Sequence, residues 1–135
     1  MPDAPRHGAG GVAFQAEAIP GEWWRRIGPK ISPKHPPRHD NARDPARKIV
    51  LGYVSGDFRH HSSARVFHPV LQHHDKSRFE VICYCNSPTQ DDVTASFRQI
   101  ADHWRDVVQW TDDQLAKCIR ADQVDILIDL SGHTR

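Results

Sequence analysis

The sequence predicts an α/β fold built on a Rossmann-like, mostly parallel sheet. Short apolar runs of strand length alternate with segments whose apolar residues recur at helical spacing, in the order βαβαβαβ from residue 48 onward. The first run, 49–55, is almost continuously apolar, which is typical of a strand covered on both faces. Because crossovers between parallel strands are right-handed, we expect helices on both faces of the sheet and the carboxyl ends of the strands at one rim.

The first two strands are predicted at 49–55 and 79–86. A polar loop follows the first strand, and a helix begins near Ser62 or Ser63, since either residue can cap it. The second strand is rich in β-branched and aromatic residues. The helix between the strands is expected to bury Val66, Phe67, Val70 and Leu71.

The second half of the chain continues this alternation. Asp91 and Asp92 stand where the N-terminus of a helix favours negative charge. A short strand around 106–110 leads to residues 111–114, whose Thr-Asp-Asp-Gln sequence is a capping box that opens a third helix. The last strand is predicted at 124–130. The second helix is predicted from the helical spacing of Val93, Phe97, Ile100, Ala101 and Trp104. The third helix is expected to bury Leu115, Cys118 and Ile119.

Residues 1–46 are predicted to be a leader and a linker, partly disordered. They contain clustered glycines and a proline-bearing run, and they nearly lack apolar periodicity. Trp23, Trp24 and Ile27 would share one side of a short helix near 21–27 and would need something to cover them. The α/β domain then occupies 47–135, and a chain of 135 residues is short for a two-lobed enzyme.

Charge, hydropathy and cysteine content indicate which partners and which cellular setting to expect. Residues 1–48 carry nine Lys/Arg against five Asp/Glu, and residues 49–135 carry nine against twelve. This mild asymmetry is typical of a solvated linker, and without interleaved aromatic residues it predicts no nucleic-acid partner. No apolar run approaches the roughly 20 residues that span a bilayer, so no membrane partner is predicted. Three cysteines without a C-x-x-C pair or a signal sequence predict a reducing, cytoplasmic setting, with Cys83 and Cys85 as small core residues.

The loop after the first strand carries the strongest candidates for chemistry. Asp57, His60, His61 and Ser63 would lie at the rim where open α/β sheets bind their ligands. The imidazole of His61 can accept a proton or hydrogen-bond a phosphate or hydroxyl, and Asp57, four residues earlier, could orient it. Other interpretations stay open: His61 as a solvated loop histidine, Asp57 as a turn former and Ser63 as a helix cap.

The loop after the last strand contains Gly132, which suits either a simple turn or a tight turn that leaves room for a ligand. His133 and Thr134 would flank it on the same rim. No G-x-G-x-x-G or G-x4-G-K-[ST] motif is present, so neither a dinucleotide site nor a P-loop is encoded. The chain has ten histidines, but their pairs do not combine with the cysteines at zinc-site spacing, so no metal is predicted. His73 and His74 are expected to end the first helix.

Three blocks of sequence resemble a known family. RKIVLGYVSGDFRHH, RFEVICYCNSPTQDD and VDILIDLSGHT resemble the opening of the catalytic region of the O-linked N-acetylglucosamine transferases and their bacterial tetratricopeptide-repeat-linked relatives, which include the SPINDLY group. The resemblance runs from about Lys48 to the C-terminus, nearly two-thirds of the chain. It implies that the α/β domain is the incomplete N-terminal lobe of a GT-B glycosyltransferase.

The resemblance also implies an activity. Members of the family are inverting transferases that move a sugar, usually N-acetylglucosamine from the donor UDP-GlcNAc, to Ser or Thr hydroxyls of acceptor proteins without a metal or other cofactor. Asp57 and His61 match active-site residues of the family and are the catalytic candidates. The chain is then a truncated part of such an enzyme.

Substrate-binding positions follow from the same resemblance. His60 stands where animal members have an asparagine that contacts the acceptor backbone. Ser63 stands where the family often has a threonine near the sugar. Gly132, His133 and Thr134 match a loop motif on the rim of the active site.

Two parts of the family's machinery find no match in the sequence. The family's contacts to uridine diphosphate belong to the C-terminal lobe, so donor binding is expected to fail and the chain to be inactive alone. The missing C-terminal lobe is then a required partner. A further histidine, considered as general base in the family, would fall at the start of this chain, where His7 is no convincing substitute, so the identity of the base stays open.

The alternative hypothesis is a non-enzymatic α/β module that binds a partner protein. It would use the exposed edge of an incomplete sheet together with the patch formed by Trp23 and Trp24. A folded, monodisperse monomer would count against this hypothesis.

Overall fold

A computed structural model describes residues 21–23, 25–30, 34–35 and 37–131. The chain divides into two units between Arg38 and His39. In the first unit, residues 21–23 and 25–30 are helical, over the stretch where the sequence predicts a short helix, and Trp23 is 52% exposed. Trp24 lies outside the described residues, so the predicted tryptophan patch is only half described.

The second unit is an α/β layer structure, which confirms the predicted fold class. Its four strands are all parallel and lie in the order β3-β2-β1-β4. Because the order reverses between β1 and β4, the carboxyl ends of these two strands flank the switch point at which such sheets bind ligands. The strands are β1 (Ile49–Ser55), β2 (Phe79–Cys85), β3 (His103–Asp106) and β4 (Ile126–Asp129), and the helices are α1 (Ser62–Gln72), α2 (Asp92–Ile100) and α3 (Asp112–Ala121).

Two hydrophobic clusters lie on opposite faces of the sheet, because β2 is buried on both sides. Val81, Cys83 and Cys85 point to one face, where they pack with residues of α1 and α2. Ile82 and Tyr84 point to the other, where the partly buried apolar residues of α3 cover them. The prediction that Cys83 and Cys85 are core residues is confirmed, and burial raises the pKa of the Cys83 thiol to about 12, so it stays unreactive at neutral pH.

Side chains of β4 and of the segment before it lie close to the backbone of β1 at Gly52. A β-carbon added at Gly52 would stand 2.9 Å from Cγ1 of Val124 and 3.2 Å from Cδ1 of Leu127. A side chain here would have to displace Val124, so glycine is favoured at this position for space.

Three predicted strand limits and the second helix need correction. The second strand ends at Cys85, one residue early, the third is His103–Asp106 and not 106–110, and the fourth is Ile126–Asp129 within the predicted 124–130. The third strand begins earlier than predicted because Asp102 already bonds to β2. Its backbone N–H donates to the carbonyl of Val81 at 2.9 Å, and its carboxylate accepts the Val81 N–H at 2.7 Å. This exchange ends α2 at Ile100 and starts pairing with β2, so Trp104, predicted on the helix, lies on a strand.

The first helix also differs from its prediction. Its N-cap is His61, not Ser62 or Ser63, and Val66 and Val70 are 64% and 46% exposed and not buried. The inward face follows the spacing of Ala64 and Leu71, with Phe67 between them, so the two valines fall beside the buried stripe. The predicted helix end is confirmed at His73, whose N–H donates to the carbonyl of Pro69 at 3.1 Å.

The capping box predicted at the start of α3 is confirmed. The Thr111 hydroxyl accepts the Gln114 N–H at 3.2 Å, and the Gln114 side chain accepts the Thr111 N–H at 2.9 Å. Among the described residues, no helix has the length and hydropathy needed to cross a membrane.

Candidate functional site

The loops after β1 and β4 meet at the switch point of the sheet. The backbone N–H of Gly56 donates to the hydroxyl of Ser131 at 3.2 Å, and the hydroxyl of Ser55 accepts the N–H of Asp57 at 2.9 Å. The structure thus brings together the two strand ends that the sequence assigns to one rim. Gly132, His133 and Thr134, the predicted substrate-binding residues of the second loop, lie outside the described residues.

A buried aromatic residue anchors the loop after β1. Phe58 is 1% exposed, and its ring lies 5.0 Å from that of Phe97 and 5.4 Å from that of Trp104. Its carbonyl accepts a hydrogen bond of 2.6 Å from the hydroxyl of Thr94. Sequence analysis missed this anchor, although a single phenylalanine within a polar loop is a signal that could have found it.

Asp57 lies beside this anchor with its carboxylate largely covered. One carboxylate oxygen is 3.5 Å from the guanidinium of Arg59, and the other is 3.8 Å from Nδ1 of His61. Its side chain is 15% exposed. Both charge contacts are longer than a hydrogen bond, so the carboxylate keeps capacity to accept one from another group.

His61 caps α1 through its ring. Nδ1 accepts the backbone N–H of Ser63 at 3.2 Å, and the Ser63 hydroxyl lies 2.8 Å from the same nitrogen. Because this nitrogen uses its lone pair as the cap, a neutral ring carries its proton on Nε2. Ser63 therefore makes the shorter contacts to the ring, and the Asp57 carboxylate lies 3.8 Å from the same nitrogen. That Asp57 orients His61 stays a prediction.

His60 points away from His61 toward the start of α2. Its Nε2 lies 2.7 Å from the carboxylate of Asp92, and its backbone N–H donates to the carboxylate of Asp91 at 2.8 Å. That N–H, together with hydrogen bonds from Thr94, holds the pKa of Asp91 below its usual value. Asp57 and Ser63 thus each contact His61, whereas His60 belongs to a neighbouring cluster.

The cluster of His60, Asp91 and Asp92 has ligand atoms within 4.8 Å of one another. Asp91 already serves as the N-cap of α2 and completes a capping box with Thr94. The other two side chains, 70% and 81% exposed, are paired with each other. Exposed groups of this kind often gather at a helix N-terminus for capping alone, so the cluster is explained without a metal.

A groove of about 810 Å³ lies between α1 and α2 and continues from His61. Ala64, Pro69 and Val93 form its apolar part. Sequence analysis missed the groove, but the recurrence of basic residues at 61, 65 and 68 follows helical spacing and is a usable signal. Its basic lining residues are Arg59, His60, His61, Arg65 and His68.

Residues 29–135 match the family model described as glycosyl transferase family 41. This covers well over half of the chain. The chain belongs to glycosyl transferase family 41. The expectation drawn from the three sequence blocks is thereby confirmed.

Relatives and a solved structure agree with this membership. The "Probable UDP-N-acetylglucosamine--peptide N-acetylglucosaminyltransferase SPINDLY" of Arabidopsis thaliana is 35% identical over 94 residues, or 67% of this chain and 10% of the relative. The protein SEC of the same plant, described by the same activity, is 32% identical over 90 residues, or 66% of this chain and 9% of the relative. An O-GlcNAc transferase mutant from Thermobaculum terrenum superposes with a TM-score of 0.71 at 40% identity, over 82% of this chain and 21% of that one.

These matches cover most of this chain but only a small part of each relative. The chain spans about a tenth of the length of the curated relatives and about a fifth of the solved transferase. The family-41 region described by the structure is therefore a small part of what the relatives contain. It is the part that carries the rim with Asp57 and His61.

Proposed function

We propose that this chain forms the acceptor-side part of an inverting glycosyltransferase that transfers N-acetylglucosamine from UDP-GlcNAc to Ser or Thr of proteins. The plant relatives carry peptide N-acetylglucosaminyltransferase names, and the Thermobaculum structure that the chain resembles is an O-GlcNAc transferase. The observation that carries the proposal is the contact between Asp57 and His61 at the carboxyl end of β1 within a family-41 fold. Acceptor proteins are then its partners, and UDP-GlcNAc is a substrate and not a resident cofactor.

His61 has two states that suit two roles in this reaction. With Nδ1 capping α1, its Nε2–H donates and can hold an oxygen of the acceptor or the sugar. If Nδ1 takes the proton, Asp57 at 3.8 Å stabilises that form and Nε2 becomes a base for the acceptor hydroxyl. The exchange gives up one helix cap, which costs about 1 kcal/mol, so both states are within thermal reach.

The remaining site residues have supporting roles in the proposal. Ser63 holds His61 in place through its N–H and hydroxyl. His60 would contact an acceptor only from its exposed side, beyond its pair with Asp92. For Gly132, His133 and Thr134 the support is the loop motif in the sequence, and we propose them as part of the same rim.

Stabilisation of the departing diphosphate is the other half of the reaction. The family resemblance assigns the donor contacts to a second lobe, and this chain matches only about a tenth of its relatives. We therefore propose that these 135 residues alone neither bind UDP tightly nor transfer sugar, and that they act together with such a lobe.

A chimera with the Thermobaculum enzyme tests the proposal. Residues 48–131 of this chain would replace the matched segment of that transferase, and transfer from UDP-GlcNAc to a Ser/Thr peptide would be measured. We expect an active chimera in which Asp57→Asn and His61→Ala each lower kcat/KM by about 100-fold, in the range of a positioned acid–base group. Asp113→Asn, an exposed carboxylate change on α3, is the matched control and should leave kcat/KM unchanged. Retention of full activity in Asp57→Asn and His61→Ala, or transfer by the 135-residue chain alone, would refute these assignments.

One observation favours the alternative of a protein-binding module. Two apolar residues of the edge strand β4, Ile126 and Leu127, are 49% and 50% exposed. Exposed apolar residues on an edge strand are typical of a surface that a further element or a partner covers. Analytical ultracentrifugation of the 135-residue chain distinguishes the cases. A concentration-dependent dimer that Leu127→Lys abolishes would support the module, and a folded monomer at all concentrations would exclude self-association through this edge.

A further inference from the structure

The groove between α1 and α2 is lined by basic side chains. It is lined by two arginines and three histidines, and none of the described residues that line it is an Asp or Glu. His61, the candidate catalytic histidine, is itself one of the lining residues. The groove is thus continuous with the proposed site of sugar transfer, and a segment bound in it would lie beside His61.

Carboxylates near the groove neutralise only part of this lining. Asp57 lies 3.5 Å from the guanidinium of Arg59, and Asp92 lies 2.7 Å from the ring of His60. Arg65, in contrast, is exposed, and within the described part of the chain its guanidinium has no hydrogen bond or ion pair. A free guanidinium presents a planar fork of donors that matches a carboxylate.

The N-terminus of α1 adds to the positive potential. The helix has 11 residues and no acidic residue in its first turn, whereas α2 and α3 each begin with aspartates. Ser62, at the first position of α1, lines the groove. The N–H groups of Ser63 and Ala64 are bonded to His61, but the positive end of the helix dipole still favours an anion at this end of the groove.

The apolar part of the groove suits a polypeptide. Ala64, Pro69 and Val93 offer surface for the methylene groups of acidic side chains and for an extended backbone. The ring of His68 packs on that of Phe97 in an edge-to-face arrangement, with the ring centres 5.0 Å apart, and forms another wall of the groove. A volume of about 810 Å³ fits a segment of several residues and not a single ion.

We propose that this groove binds an acidic segment of the acceptor polypeptide, next to the Ser or Thr that receives the sugar, with Arg65 as its main charge contact. The inference rests on the proposed function only for calling the peptide an acceptor. Selection of acceptors by the 135-residue region then depends on glutamates or aspartates that flank the modified hydroxyl.

Peptide binding to the 135-residue chain tests this groove without any sugar donor. Two fluorescent peptides would carry one central serine flanked on both sides by glutamates in one and by glutamines in the other. Fluorescence anisotropy at low and high salt should show the glutamate peptide binding at least about fivefold tighter at low salt, with the preference reduced at high salt. Equal affinity for both peptides would overturn the proposal.

Charge substitutions locate the effect. Arg65→Gln should remove most of the preference for the glutamate peptide, and Arg65→Lys should retain part of it because the charge remains. Lys117→Gln, which removes one exposed positive charge on α3 outside the groove, is the matched control. The same loss in Lys117→Gln as in Arg65→Gln would show a general charge effect and refute the assignment to the groove. Circular dichroism confirms that each variant is folded.

The outcome separates this inference from the proposed transferase function. In the Thermobaculum chimera, the glutamate peptide should have a lower KM than the glutamine peptide, and Arg65→Gln should raise that KM with little change in kcat. Transfer to both peptides with equal KM would leave the transferase function standing and overturn the acidic-segment proposal. Selective binding of the glutamate peptide without transfer in the chimera would overturn the transferase function and leave the acidic-segment proposal standing.

Discussion

The two ends of strand β1 are held by different forces. At the amino end, the carboxylate of Asp125 accepts two bonds from Arg47, at 2.7 and 2.6 Å, and others from Asn41 and the N–H of Val50. At the carboxyl end, the charged groups stand 3.5 and 3.8 Å apart, and the buried ring of Phe58 holds the loop. At the amino end, the carboxylate of Asp125 is fully used in hydrogen bonds that stabilise the fold. At the carboxyl end, the carboxylate of Asp57 can still accept hydrogen bonds from another group.

This difference shows how a small domain can be rigid at a site without closing it. An apolar anchor fixes the backbone here, and among the described residues it leaves the carboxylate of Asp57 and Nε2 of His61 without a hydrogen bond. A charge cluster like that of Asp125 would fix the same backbone but would leave nothing to bind a substrate. Substitutions at one end and then at the other should therefore have different consequences.

Removing the apolar anchor should have the largest effect on stability. Phe58→Ala deletes a fully buried ring that packs on Phe97 and Trp104, and we expect a loss of about 3–4 kcal/mol in the free energy of unfolding. Urea denaturation followed by tryptophan fluorescence measures it. A loss below about 1 kcal/mol would mean that the loop is held by its polar groups after all, and the contrast between the two ends would fail.

Breaking the charge cluster at the amino end should cost somewhat less. Asp125→Asn removes the charge that pairs with Arg47, and we expect a loss of about 2–3 kcal/mol. Asp57→Asn is the matched change at the other end, where the ion contacts are long and Arg59 is exposed, and it should cost less than about 0.5 kcal/mol. Equal losses in the two variants would contradict the division of roles between the ends of β1.

The amino end should also make stability depend on pH. Hydrogen bonds from Arg47 hold the pKa of Asp125 well below its usual range. A carboxyl group with a lowered pKa in the folded state stabilises the fold above its unfolded pKa of about 4, and this contribution is lost as the pH falls below that value. Urea midpoints at pH 7, 5 and 3 should therefore fall less steeply below pH 4 for Asp125→Asn than for the unmodified chain. Parallel pH profiles would show that Asp125 is not responsible.

Removing the cap at His61 should cost less stability than breaking the charge cluster at the amino end. His61→Ala removes the cap of α1 and should cost about 1 kcal/mol, while His61→Asn, which can cap a helix, should cost only a few tenths. Nitrogen NMR shifts of the His61 ring provide a direct check, since in a neutral ring with a capping Nδ1 the proton is on Nε2. A protonated Nδ1 in the neutral ring would place the base-competent form, and not the cap, in the resting chain.

Local patterns account for the parts of the fold that sequence analysis predicts well. The capping box at Thr111 and Gln114 needs only four consecutive residues, and it forms as expected. The same local logic fails at Trp104, because its helical spacing from Phe97 continues past the point where Asp102 begins to pair with Val81. It also fails at His61, since a histidine cap has no general sequence signature.

The sequence alone determined the succession of strands and helices, the parallel sheet, the rim that holds Asp57 and His61, and the family. These follow from periodicity, from the handedness of crossovers and from the three blocks in their order, all of which are read along the chain. Only the tertiary structure decided the pairing of β3 with β2, the burial of Phe58, the Ser63 contact of His61 and the basic groove between α1 and α2. Most of these depend on contacts between residues far apart in sequence, where packing and hydrogen-bond geometry select among several locally equivalent arrangements.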